Sequence, residues 1–139
     1  MYVKRIPLSE RSIDRVRLEA DLQRKASAYG FSPKIHRVVE TEADITIEME
    51  DVGAPCIADV YGNRKIPKRI WKQIYKILDT LLKKEKIEYV DITPYNFIEK
   101  DKKVYIIDFG DAKIHEGGDL NWFLKQFLEG ECGWNPDFA

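Results

Sequence analysis

The sequence predicts an α+β fold with two lobes: a small antiparallel sheet carrying one helix, followed by a mainly helical part that contains a metal-bearing β-hairpin. Three observations predict it. Short apolar runs with turn residues between them occupy the first fifty residues. A long helical periodicity runs from Pro67 to Lys84, and two further short runs then flank a polar turn. The length of 139 residues, 44% of them hydrophobic, fits a single domain over 1–139.

The chain is predicted to begin with a strand and a helix. Tyr2–Ile6 is a short, largely apolar run, and Pro7 after it predicts the end of the strand. Ser9 or Ser12 can cap a helix that runs to about Tyr29, because apolar residues recur there at helical spacing.

A hairpin and a connector follow. The runs Lys34–Val39 and Asp44–Met49 are joined by a polar turn, which is typical of paired antiparallel strands. The glycine- and proline-containing stretch Glu50–Asn63 is predicted to connect two lobes, with one helical turn in it.

The second half is predicted to contain two helices. In the first, Pro67 occupies the first helical position, where a proline is tolerated. The second runs from Asp119 to about Leu128, where apolar residues share one face. The aromatic-rich tail Trp134–Phe138 is expected to dock back onto the domain or to contact a partner.

Composition limits the classes of partner. The 23 basic residues nearly cancel the 24 acidic ones, so nucleic-acid binding is disfavoured. No apolar run is long enough for a membrane span, and a soluble, cytoplasmic protein is expected. Cys56 and Cys132 are predicted to be free thiols, although a bridge or a reactive role is compatible with the sequence. His36 and His115 are predicted to be surface or hydrogen-bonded histidines.

The second hairpin brings two oxygen-bearing side chains together. If its turn is centred near Asp101 and Lys102, Asn96 falls opposite Ile107 and therefore beside Asp108. The same register places Phe97 opposite Ile106 and Glu99 opposite Val104.

A third polar side chain, Asp91, can turn back towards the same place because Pro94 lies in the short loop between it and Asn96. Carboxylate and amide oxygens suit Mg²⁺, which leaves its other positions to water and phosphate. The three residues therefore predict a phosphoryl-transfer site. The alternative is that Asp91 and Asp108 are turn residues and Asn96 is a cap.

The runs Tyr89–Ile98 and Ile106–Gly110 resemble the catalytic loop and the Asp-Phe-Gly motif of protein kinases, with the same five-residue step from Asp91 to Asn96. The small atypical kinases of the RIO and KEOPS-complex type are the closer likeness. The resemblance spans roughly Tyr2 to Leu128 and implies a reduced N-lobe and hinge at 1–52 and a truncated C-lobe at 53–139.

By this resemblance the cofactors are ATP and Mg²⁺. Asp91 would accept the proton of the substrate hydroxyl or orient that hydroxyl. Asn96 would hold one magnesium ion, and Asp108 would hold the ion that bridges the nucleotide phosphates.

The resemblance also implies roles for residues of the first lobe. Lys4 would contact the phosphates and form an ion pair with Glu19. Met49 would be the gatekeeper, and the backbone from Glu50 to Val52 would face the adenine. The alternatives are a commonplace lysine, a charged helix face and an ordinary core methionine.

The sequence departs from the usual kinase pattern. It shows no glycine-rich loop before the lysine strand, and Gly110–Gly118 is too short for a full activation segment. Tyr89 and Val90 stand where most protein kinases have histidine and arginine, and Thr93 replaces the usual lysine. By the same likeness, Asp119 would brace the catalytic loop.

Three functions are compatible with these observations. The first is an ATP- and Mg²⁺-dependent kinase-like phosphotransferase acting on Ser or Thr hydroxyls of a protein substrate, either alone or with a protein partner that completes the site. The second is a weak or inactive kinase mimic, a pseudokinase, that binds and modulates a partner protein. The third is a structural α+β domain in which the motifs occur by chance.

Overall fold

The computed structural model of the protein describes residues 1–136 and is a mixed α+β structure. Its strands and helices follow in chain order: β1 Tyr2–Pro7, α1 Ile13–Ala28, β2 Ile35–Glu40, β3 Asp44–Met49, α2 Ile57–Tyr61, α3 Lys68–Glu85, β4 Ile87–Glu88, β5 Phe97–Lys100, β6 Lys103–Ile106, β7 Lys113–Ile114 and α4 Trp122–Leu128.

The first three strands form an antiparallel sheet in the order β1-β3-β2. Lys4 lies opposite Ile47 in the middle of the β1–β3 ladder. The strand ends at Pro7, as predicted, although Pro7 itself is still paired with Asp44. A proline is tolerated there because β1 is an edge strand in this sheet, where an N–H can be absent without breaking the ladder.

Helix α1 confirms the prediction of a capped helix against this sheet. The Ser12 hydroxyl accepts a hydrogen bond from the Arg15 N–H, which satisfies a donor of the first turn. Its buried residues join both hydrophobic clusters of the protein: Val16 and Ala20 pack with the sheet, while Leu22 and Ala26 pack with the helical part. The helix therefore couples the two clusters.

Helix α3 is the central element of the helical part. Its buried residues recur at helical spacing and form one face: Ile70, Ile74, Ile77, Leu78 and Leu81. The prediction that Pro67 occupies the first helical position was wrong by one residue. Pro67 is the N-cap, with the φ of −59° that its ring imposes but an extended ψ of 145°.

The β5–β6 hairpin has the predicted register. Phe97 pairs with Ile106 and Glu99 with Val104. The turn residues Asp101 and Lys102 both have positive φ, as the favoured two-residue hairpin turns require. The two-stranded β4–β7 ladder was not predicted, since two-residue strands carry no readable periodicity.

The last helix starts later than predicted. Asn121 caps α4 by accepting hydrogen bonds from the N–H groups of Phe123 and Leu124, so the helix begins at Trp122. Asp119 is exposed and precedes the helix, contrary to the prediction. Its predicted role in bracing the catalytic loop has no support in this placement.

The tail docks back onto the helical part. The Trp134 ring lies 4.4 Å from that of Trp71 and 6.1 Å from that of Phe97. Phe138, part of the predicted aromatic tail, lies outside the described residues. Cys56 and Cys132 are free, as predicted. In the described part of the chain, none of the helices combines the length and the apolar character needed to cross a membrane.

Candidate functional site

A cavity of about 280 Å³ opens between the three-stranded sheet and the β5–β6 hairpin. Most of the predicted site residues line it: Lys4, Met49, Glu50, Val52, Asn96 and Asp108. The other two, Glu19 and Asp91, are buried and do not line it. The structure therefore brings the predicted cofactor-binding and metal-binding residues to one place.

Lys4 connects the sheet, α1 and the second half of the chain. Its Nζ lies 2.6 Å from Glu19 Oε2 and 3.4 Å from Asp108 Oδ1. Burial lowers the pKa of Lys4, but the carboxylates of Asp108 and Glu19 outweigh that effect and leave the pKa above its ordinary value. The side chain is therefore a fixed cation at neutral pH.

The segment after β3 presents polar backbone groups at the edge of the cavity. The Glu50 N–H donates to the Lys34 carbonyl at 2.9 Å, which ties this segment to the chain before β2. The Glu50 carbonyl and the Val52 N–H have no hydrogen-bond partner within residues 1–136. Buried Met49 lies beside them, and its sulfur accepts a hydrogen bond from the Gln23 amide.

The predicted metal ligands stand at the open end of the β5–β6 hairpin. The Ile107 N–H donates to the Asn96 carbonyl at 2.9 Å, which extends the ladder and sets Asn96 beside Asp108. Asn96 Nδ2 donates to the Asp91 carbonyl at 3.0 Å and so leaves the amide oxygen available. Across residues 1–136, no three His, Cys, Asp or Glu side chains cluster as a metal site, so the metal-bearing role of the hairpin stays a prediction.

Asp91 is buried next to Asp111 and does not line the cavity. No N–H or O–H group of the described chain donates to its buried Oδ1, so as a carboxylate this oxygen is unsatisfied. Burial raises the pKa of Asp91 to about 7, and the neighbouring Asp111 and Asp108 carboxylates add to the rise. Asp91 therefore holds its proton at mildly acidic pH. Sequence reasoning missed Asp111, although it follows the motif at Ile106–Gly110 directly.

Tyr89, which replaces the usual histidine, is a structural anchor. Its ring is buried against Phe97 and Phe109, and its hydroxyl donates to the Ile107 carbonyl at 2.7 Å. One side chain thus fixes the loop that carries Asp91 to the strand end that carries Asp108. The Tyr89 hydroxyl thus links the two motifs without a charged group.

The family comparison matches this arrangement. The RIO domain family model matches residues 16–129, which is most of the chain. This chain belongs to the RIO domain family. RIO domains are an atypical protein-kinase-like family whose members generally bind ATP with Mg²⁺, and the predicted resemblance is confirmed at that level. No curated protein sequence matches the chain.

The RIO match covers all the predicted site residues except one. Glu19, Asp91, Asn96 and Asp108 lie inside it, whereas Lys4 lies before its first residue. The contacts of Lys4 with Glu19 and Asp108 nevertheless tie it to the matched region. The roles assigned to the individual residues stay predictions.

The residues around the cavity fit ATP with Mg²⁺. The unpaired Glu50 carbonyl and Val52 N–H would offer one acceptor and one donor to the edge of an adenine. Lys4 would supply a cation for phosphate oxygens. The Asn96 amide oxygen and the Asp108 carboxylate are hard oxygen ligands of the kind that Mg²⁺ takes alongside phosphate.

Proposed function

We propose that this RIO domain is an ATP- and Mg²⁺-dependent phosphotransferase that acts on Ser or Thr hydroxyls of a protein. The observation that carries the proposal is the convergence of Lys4, Asn96 and Asp108 on one cavity whose other edge offers unpaired backbone groups. A cation and two hard oxygen ligands for Mg²⁺ are parts that phosphoryl transfer needs, and the unpaired backbone groups suit the edge of an adenine.

In this proposal, three residues bind the nucleotide and the metal ion, and a fourth accepts the proton of the substrate. Lys4, held by Glu19, would orient the phosphates, while Asn96 and Asp108 would hold Mg²⁺, which neutralises phosphate charge when bound. The substrate oxygen would form a bond to the terminal phosphorus as the bond to the leaving diphosphate oxygen breaks. Asp91 would take the proton of that hydroxyl, which requires its ionised form.

A second candidate function, the partner-binding kinase mimic, is favoured by the position of Asp91. Its carboxyl group is buried against Asp111 rather than lining the cavity, so a substrate hydroxyl has no direct path to it in this arrangement. A partner that displaces Asp111 would turn the same site into an enzyme. The two candidates thus differ in whether Asp91 reaches a substrate.

The first experiment measures the melting temperature with ATP, with and without Mg²⁺. Ligand at ten times its Kd adds about 1.4 kcal/mol to the free energy of unfolding, a rise of about 4 °C. We expect a Mg²⁺-dependent rise that disappears in Asp108→Ala and persists in Asp21→Ala, an exposed aspartate of α1. An absence of any rise at millimolar ATP would contradict the proposed nucleotide site.

The second experiment separates the enzyme from the mimic. Transfer of labelled terminal phosphate from ATP to a panel of Ser- and Thr-containing peptides is measured for the unaltered protein and for Asp91→Asn. The enzyme predicts transfer that the variant loses by about 10²-fold or more, with the ATP-dependent melting shift retained. A normal melting shift with no transfer from either protein would favour the mimic.

A further inference from the structure

Two arginines, Arg11 just before α1 and Arg15 in its first turn, contact the backbone immediately after Asp108. Arg11 Nη1 donates to the Gly110 carbonyl at 2.6 Å, and Arg15 Nε donates to the same oxygen at 2.8 Å. Arg15 Nη2 also donates to the Ala112 carbonyl. Arg11 adds an exposed ion pair with the Asp111 carboxylate at 3.3 Å. One carbonyl is thus held by two guanidinium groups from a distant part of the sequence.

The close approach depends on Gly110. A Cβ atom at this position would lie 3.0 Å from Asp108 Oδ1, 3.2 Å from Glu19 Oε1 and 3.3 Å from Arg11 Cζ. The turn is therefore packed between the Asp108 carboxylate on one side and α1 on the other. Movement of α1 relative to this turn would change the surroundings of Asp108 directly.

Asp108 itself has a strained backbone. Its φ of +60° is in the left-handed region, which costs a residue with a side chain about 1 kcal/mol or more. Such a conformation persists only when its surroundings hold it. The Gly110 N–H donates to Asp108 Oδ1 at 3.0 Å, and the arginines hold the carbonyl of the same glycine.

The arginines are well suited to this task and are outside the cavity. A guanidinium group stays charged and offers several donors in a rigid plane, so Arg15 can hold two carbonyls at once. Neither Arg11 nor Arg15 lines the cavity. Neither therefore contacts a ligand there directly, and their hydrogen bonds act on the site through the turn.

We propose that Arg11 and Arg15 are positioning residues that fix the 108–112 turn so that the Asp108 carboxylate faces the cavity where Mg²⁺ and ATP would bind. This inference rests on the proposed function. It assigns to this end of α1 a role beyond supplying Glu19: Arg11, just before the N-cap, and Arg15, in the first turn of the helix, together hold the metal-binding turn. Because both hold the Gly110 carbonyl, each partly substitutes for the other.

The test is the Mg²⁺ dependence of ATP-induced stabilisation in Arg11→Gln/Arg15→Gln. We expect the Mg²⁺ concentration for half of the melting shift to rise by about 10- to 100-fold, as for other residues that orient a metal ligand. Each single variant is expected to raise it by less than about threefold, since the second guanidinium remains. The effect of ATP without Mg²⁺ is expected to be unchanged.

The matched control is Arg17→Gln/Arg24→Gln. These arginines lie on the same helix, pair with Glu40 and Asp21 at the surface, and their removal changes the net charge equally. We expect a Mg²⁺ dependence equal to that of the unaltered protein. An increase in the control as large as in the test pair would assign the effect to charge and overturn the inference.

A second measurement reports on the turn without any ligand. Amide hydrogen exchange of Gly110 and Ala112, whose N–H groups bond to Asp108 Oδ1 and the Phe109 carbonyl, is expected to accelerate in the double variant while exchange in α3 does not change. Arg11→Lys/Arg15→Lys keeps the charges but removes the planar guanidinium groups. It tests the same point if the Arg11→Gln/Arg15→Gln variant does not fold. We expect an intermediate acceleration.

The outcomes separate the two proposals. If Arg11→Gln/Arg15→Gln showed the same Mg²⁺ dependence and the same amide hydrogen exchange as the unaltered protein, the positioning role would be overturned. The proposed function would remain intact. A complete absence of Mg²⁺-dependent stabilisation in the unaltered protein would overturn the proposed function, and this role with it.

Discussion

At the scale of single residues, the site contains two buried acidic side chains in different surroundings. Glu19 is paired with a cation, whereas one oxygen of Asp91 has no hydrogen-bond donor among the described residues. Glu19 is buried but has the Lys4 ammonium at 2.6 Å. Asp91 is also buried, and the charged groups around it are mainly the carboxylates of Asp111 and Asp108. Because ionisation of Asp91 is unfavourable in such surroundings, the folded protein holds a proton there that the unfolded chain releases.

This difference predicts how stability depends on pH. The pKa of Asp91 is about 7 in the folded protein and near 3.8 in the unfolded chain. Its stabilising contribution is therefore complete below pH 4 and lost as the pH rises through 7. We expect Asp91→Asn to be more stable than the unaltered protein at pH 8 by roughly 2 kcal/mol, with the advantage shrinking towards pH 4.

Urea unfolding at several pH values measures this dependence. Asp21→Asn, at an exposed position in α1, is the control and should differ from the unaltered protein by a constant amount. A pH-independent difference for Asp91→Asn would show that Asp91 ionises normally.

At the scale of secondary structure elements, α3 ends at a residue whose backbone conformation is unfavourable. Lys86 terminates the helix in the left-handed conformation, with φ of 58°, and its N–H bonds to the carbonyls of Leu81 and Leu82. Glycine is the residue that adopts this conformation without strain. The position is exposed, so its side chain makes little packing contribution.

We therefore expect Lys86→Gly to raise the free energy of unfolding by about 1 kcal/mol. The matched control is Lys84→Gly, two residues earlier inside the same helix, which should lower it by about 1 kcal/mol. Chemical denaturation of the two variants measures both values. Destabilisation by both substitutions would show that the Lys86 side chain contributes more than its backbone costs.

The elements differ in how far the sequence predicts them. The β5–β6 register followed correctly from the Asp101–Lys102 turn, because a two-residue turn fixes every pair along the ladder. The end of β1 was correct, because Pro7 marks it locally. The start of α4 was wrong, because the helical periodicity does not locate the cap, and Asn121 accepts the hydrogen bonds of the first turn.

The same reasoning explains what was predicted of the site. Asn96 and Asp108 were brought together by a local hairpin, whose geometry can be read from the sequence. Asp111, Arg11 and Arg15 were missed because their contacts connect α1 to a turn almost a hundred residues later. Spacing within a segment says nothing about which distant backbone group a side chain reaches.

At the scale of the whole molecule, the tail completes the loop that carries Asp91. The Asn135 N–H donates to the Ile92 carbonyl at 2.8 Å, and Trp134 packs on Trp71 and Phe97. Residues near the end of the described chain thus support a loop more than forty positions earlier.

We expect Trp134→Ala to lower the free energy of unfolding by about 2 kcal/mol, because a half-buried indole loses its contacts with two aromatic rings. Exchange of the Asn135 amide should accelerate with it. The matched control is Trp122→Ala: Trp122 is 49% exposed and contacts Phe123 at one edge, so its loss should cost less than about 1 kcal/mol. Equal losses from both variants would show that the tail does not support the domain.

The Lys4–Asp108 contact limits how early the cavity can form during translation. The two residues are 104 positions apart, and translation at about 5–20 residues per second separates their synthesis by roughly 5–20 s. Asn135, which bonds the Asp91 loop, is made later still. A ribosome-bound chain can therefore form the sheet and α1 early, but it cannot complete the cavity until synthesis has passed residue 108 or support the Asp91 loop until it has passed residue 135.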